Sequence, residues 1–139
     1  MRALAVKNMS YKINEKEIEN VLSRNGEERY YHFIARVSDW EELWGLKDEN
    51  GWVTAEDDEG EKSIPFWPHE EYARLCANGS WQGNDPTPIE LSVFIEKWLP
   101  GMEKDGLLVA VFPTPSEKSL QISPSKLKSD LEEECGQYE

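Results

Sequence analysis

Ile64-Pro65-Phe66-Trp67-Pro68-His69-Glu70-Glu71-Tyr72-Ala73-Arg74-Leu75 holds two aromatic residues, two prolines and one of the chain's two histidines within five consecutive residues. Its first half is apolar and short, which suits a buried strand. Proline lacks the N–H a strand ladder needs, so the strand is expected to stop at Phe66. Pro68 has its φ preset for a first helical turn, and Glu70 and Glu71 lie where the helix dipole favours negative charge. A helix is therefore expected from Pro68, with Tyr72, Leu75 and Cys76 facing inward and Asn78-Gly79 ending it. A strand that turns at once into a helix is the unit around which the other segments arrange themselves.

Working outward, Trp52–Ala55 predicts a strand that returns through the acidic turn Glu56-Asp57-Asp58-Glu59-Gly60 into Ile64, making a hairpin. Upstream, Asn14 can cap a helix carrying Ile18, Val21 and Leu22, which Asn25-Gly26 is expected to end. A second helix presents Tyr30, Phe33, Ile34 and Val37 on one face. Ser38-Asp39-Trp40-Glu41 has the spacing of a capping box, so a third, short helix ending at Gly45 is expected there. Downstream, Thr87-Pro88-Ile89-Glu90 has the same signature. Behind it, Leu91, Phe94, Ile95, Trp98, Leu99 and Met102 fall on one helical face, with Pro100-Gly101 expected to kink or end the helix. Leu107–Phe112 is apolar on both faces and predicts a central strand. It is followed by a short partner over Ser119–Ile122 and a last helix, capped at Ser123-Pro124, with Leu127, Leu131, Cys135 and Tyr138 aligned.

This order predicts one α+β domain over residues 13–139, with helices packed on a mainly antiparallel sheet of about four strands and room for one parallel pairing. Residues 1–12 carry Arg2, Lys7 and Lys12 with no acid and no clear period, and are expected to form a flexible tail. A chain of 139 residues can bury about two-thirds of its unfolded surface. Its hydrophobic content of 38% is low, but six Trp, five Tyr and four Phe compensate in area.

Charge narrows the range of partners. With 28 acids against 15 bases, the net charge is −13. A field of that sign repels nucleic acid and anionic membrane surfaces and attracts a basic protein. No run of 18 apolar residues exists, and the start breaks off before it makes a signal-peptide core. Cys76 and Cys135 stand alone, without metal-ligand spacing. The expectation is a cytoplasmic protein with reduced thiols and no metal or cofactor.

Specific catalytic motifs are missing. His69 beside Glu70 and Glu71 could act as a general base, but adjacent helical residues do not face each other and no nucleophile is at hand. The plainer role is a histidine in the cap region. Glu56–Glu61 lacks the ligand positions of an EF-hand and predicts a solvated hairpin tip. His32 is expected to be a partly exposed helix residue and Cys76 a small core residue. Of the tryptophans, Trp40, Trp52 and Trp98 fit a core, whereas Trp67 and Trp81 are the surface candidates. Trp67, His69, Tyr72, Arg74 and Trp81 are therefore the candidate binding residues. The unpaired first amides of the helix, at residues 69–71, are a candidate anion position.

Several stretches resemble a small bacterial family of unknown function, catalogued as domain of unknown function twenty-seven fifty. They are Phe33–Leu46 with Gly51-Trp52, Pro65–Ala73, Trp98-Leu99-Pro100-Gly101 and Val111-Phe112-Pro113-Thr114-Pro115. The resemblance covers roughly residues 20–135 and implies no activity or catalytic residue. In element order alone the chain is also similar to SseB-like N-terminal domains. The leading functional expectation is a non-enzymatic cytoplasmic module that binds a partner with a basic surface. The alternatives are a small enzyme with its site around His69, and an immunity or antitoxin-like inhibitor of a basic toxin.

Overall fold

The computed structural model describes residues 14–115 and 120–136, so the tail expected over residues 1–12 lies outside the described residues. Asn14 caps α1 (Glu15–Leu22), its side chain accepting from the Glu17 amide at 2.8 Å. The chain then turns through Ser23, and Asn25 opens α2 (Gly26–Trp40) with a full capping box to Glu28. Asn25-Gly26 therefore starts the second helix instead of ending the first. Tyr30, Phe33, Ile34 and Val37 form the buried face of α2, as their spacing predicts.

Both later capping boxes give way to strands. Glu41 ends α2 in the left-handed region (φ 59°), its amide donating to Val37 O at 2.8 Å. That backbone cannot begin another right-handed helix, and the chain runs directly into β1 (Glu42–Asp48). Gly45 ends nothing: it lies inside β1, where a Cβ would come within 2.9 Å of the Trp52 ring. In the same way Thr87–Glu90 belongs to β5 (Asp85–Glu90), paired antiparallel with β1 along its full length. Pro86 and Pro88 are tolerated because, among the described residues, β1 is the only neighbour of β5 in its sheet, and the alternate residues between the prolines keep their donors.

The hairpin is present but divided between two sheets. β2 (Gly51–Trp52) joins β1 and β5 in the order β2-β1-β5. β3 (Ala55–Glu56), β4 (Lys62–Phe66), β6 (Leu108–Val111) and β7 (Leu120–Ile122) form the second sheet in the order β3-β4-β6-β7. The β4–β6 pair is parallel, from Ser63↔Leu108 to Phe66↔Val111, and the other pairings are antiparallel. A backbone bridge connects the sheets: Trp44 donates to Trp67 O at 2.9 Å and Trp67 donates to Trp44 O at 2.8 Å.

After β4, Trp67 forms this bridge, Pro68 follows, and His69 caps α3 (Glu70–Cys76). Pro68 thus precedes the cap instead of occupying the first helical turn. A 3₁₀ turn (Gly79–Trp81) leads to β5. The long helix α4 then runs as Leu91–Val93, a π-helical turn over Phe94–Trp98, and Leu99–Asp105. Pro100 does not end it. The wider turn just before Pro100 loosens the helix where proline lacks a donor and crowds the preceding turn, and Gly106 (φ 72°) terminates it. Phe94 and Trp98 set their rings against Phe66 on β4, the strand beside β6 (4.8 and 5.6 Å), and Trp98 also meets Trp52 (4.9 Å). Ser123 caps α5 (Pro124–Gly136), which buries Leu127 and Leu131; Tyr138 lies outside the described residues. Among the described residues, five helices and two sheets share one core in an α+β domain.

Candidate functional site

Because β4 and β6 are parallel neighbours, the segments that leave their carboxyl ends emerge side by side. The Phe112 amide still donates to Phe66 O at 2.9 Å, after which Phe112 adopts φ 54° and the chain leaves the ladder. A bulky residue at positive φ is strained and persists only when its surroundings over-determine it. Here they do. Arg29 Nε donates to Phe112 O at 3.1 Å, while Trp67 Nε1 (2.8 Å) and Cys76 Sγ (3.3 Å) both donate to Pro113 O. Three side chains from α2, the β4 end and α3 thus clasp one turn.

Tyr72 lies against Phe112 with ring centroids 4.6 Å apart, and His32 and His69 each meet Tyr72 nearly edge-on at 6.5 Å. Burial pushes His32 down to about 4, helped by the nearby Arg36 and Arg24, so its imidazole is neutral at pH 7. Burial pushes the Cys76 thiol up to about 11, which keeps it protonated as the donor to Pro113 O and unreactive as a nucleophile. His69 Nδ1 accepts the Glu71 amide at 3.1 Å. The histidine therefore works as a helix cap, and the Glu71 amide expected to await an anion is already satisfied. These groups look like catalytic material, yet each of these bonds holds the fold together.

The five candidate residues separate accordingly. Trp67, expected on the surface, is fully buried, because its ring fills the space between the clasped turn and α3. Tyr72 is also buried. Trp81 is half-buried and edge-on to Trp67 at 6.1 Å. It lines a hollow of about 230 Å³ with Trp52, Asp48, Asn50 and Asn84. Arg74 is exposed and pairs with Glu70 at 3.1 Å, one helical turn back. The fold thus joins Trp67 to Trp81 and His69 to Tyr72, while Arg74 turns to its own helix. Arg29, fully buried, was missed by the reading of the sequence. Its signal was available: residues 29, 33 and 37 share one helical stripe, and the other two are apolar.

A second region lies between α2 and α5. The Tyr30 hydroxyl donates to one oxygen of Asp130, and Lys126 Nζ pairs with the other at 2.9 Å. Burial, then the bond to Asp130, moves the Tyr30 phenol far above its ordinary range. Burial alone would raise Asp130, but the bonds from Tyr30 and Lys126 outweigh it and hold the carboxyl below its usual value. The cleft measures about 220 Å³.

Among the described residues, no group of three or more His, Cys, Asp or Glu is placed to hold a metal ion. No described helix is long and apolar enough to cross a membrane. Fold and site together define a small α+β domain whose histidines and buried thiol serve its architecture. The chain belongs to the family described as protein of unknown function (DUF2750), which matches residues 30–131. No curated protein and no solved structure matches, so the expected similarity to SseB-like domains finds no support.

Proposed function

We propose that the protein is a non-catalytic binding module of the cytoplasm that recognises a partner protein with a basic surface. The carrying observation is its charge, 28 acids against 15 bases for a net −13. Such a field steers a basic partner into encounter and repels nucleic acid and anionic lipid, with complementary charge setting the association rate more than the affinity. The groups that would otherwise suggest catalysis support the reading by being spent elsewhere: the His69 nitrogen caps α3, and the Cys76 thiol donates to a backbone carbonyl. Both described cysteines are free, as suits a reducing compartment.

The test is a pull-down of the tagged chain from lysate of its source cell, run in low and in high salt. The expected result is a basic protein retained in low salt and released in high salt. If every captured protein is acidic or insensitive to salt, the reading is wrong.

A further inference from the structure

Resting on that reading, the geometry points to the place where the basic partner is gripped: the cleft between α2 and α5 takes an arginine side chain of the partner protein. Tyr30 and Ile34 of α2 are buried and form its floor. Tyr31, 63% exposed, stands at the rim and is the most exposed large apolar side chain among the described residues. Its ring lies 5.8 Å from that of Tyr30 at 70°, an edge contact. From α5 come Lys126, Asp130 and Glu133, which repeat at i, i+4 and i+7 and so line one helical face.

The two carboxylates in this row differ. Asp130 has both oxygens engaged, one by the Tyr30 hydroxyl and the other by Lys126, and Lys126 is the cation within the cleft lining. Glu133 is exposed and, among the described residues, makes no hydrogen bond or ion pair. An open tyrosine ring thus shares a cavity of about 220 Å³ with a carboxylate whose neighbouring cation, Lys126, is held in an ion pair with Asp130.

A guanidinium satisfies both at once. It is planar and weakly hydrated, stacks on an aromatic ring, and offers paired N–H donors to a carboxylate. Lysine supplies the charge but neither the flat face nor the fork. An anion would meet Asp130 and Glu133 as well as the field of the whole chain. A purely apolar occupant would strip water from Glu133 with nothing in return.

The test titrates the full ¹⁵N-labelled chain, at low salt, with a short unstructured peptide of alternating arginine and glycine, and with its lysine counterpart. Amide shifts are expected to concentrate at Tyr31, Ile34, Asp130 and Glu133, with the arginine peptide binding the more tightly. Tyr31→Ala and Glu133→Gln should each weaken binding about three-fold to five-fold, the size expected for an exposed cation–π or charge pair. Both positions are at the surface, and an unchanged circular dichroism spectrum checks that the variants fold. If the arginine peptide binds with shifts elsewhere and both variants bind like the parent, the cleft is the wrong site while the acidic reading stands. Equal binding of the two peptides overturns the preference for arginine. If neither peptide binds in a salt-sensitive way, the reading and the cleft fall together.

Discussion

The clasp at the ends of β4 and β6 and the cleft between α2 and α5 contain similar chemistry in opposite states. Both have aromatic rings, a tyrosine hydroxyl and titratable side chains. In the clasp, Arg29, Trp67 and Cys76 donate to two carbonyls of one turn, and Tyr72 is sealed beneath it. In the cleft, the bond from Tyr30 to Asp130 closes the floor, while Tyr31 and Glu133 stay open to solvent. Residue type alone does not mark a binding surface. What marks it is interaction capacity that the fold leaves unused, and here that capacity lies away from the histidines.

The comparison breaks most visibly at Trp67. Trp67→Ala removes a fully buried ring together with a donor to Pro113 O. A loss of about 3–5 kcal/mol is expected in urea unfolding, a large share of a small domain's stability. A much smaller loss would show that the clasp is dispensable.

A pH measurement probes the same region more gently. His32 titrates near 6.5 when unfolded and is lowered to about 4 in the fold. Between those values the unfolded chain binds the extra proton, so stability is highest above pH 6.5 and falls as pH drops toward 4. After allowance for partial solvent screening, the contribution is about 1–2 kcal/mol. The pH slope of His32→Gln should be flatter than the parent's over this window. Parallel curves for the two proteins would place the acid sensitivity elsewhere, in the carboxylates.

The smallest stability effect belongs to the cleft. Tyr31 is 63% exposed, so Tyr31→Ala should shift stability by no more than about 0.5 kcal/mol. A large loss would mean that Tyr31 supports the fold and is not held ready for a partner.

Much of this was legible in the sequence, for identifiable reasons. The β4–α3 junction could be placed because prolines act locally, on their own donors and dihedrals. The faces of α2 and α5 followed from helical period. The segments 38–41 and 87–90 were misread because a capping box is also a local signal, worth about 1 kcal/mol, and pairing between distant strands outweighs it. The long register between β1 and β5 is such a pairing, and nothing near Ser38 announces Asp85. Trp67 was misplaced for a related reason: its indole partner is a carbonyl 46 residues away. The openness of the α2–α5 cleft depends on how two helices meet, and the sequence of either one is silent on that.

The bridge between Trp44 and Trp67 bears on how the protein comes apart. It spans two sheets that otherwise have separate strand orders, β2-β1-β5 and β3-β4-β6-β7. Trp44 lies inside β1 and Trp67 directly follows the largely buried β4, so neither sheet can peel away without breaking bonds that also anchor the other. Such coupling makes unfolding cooperative, with both sheets lost in one all-or-none event. The slowest amide exchange should then fall on both sides of the seam, at Trp44 and Trp67 alike, because these two N–H groups open only when the whole domain does.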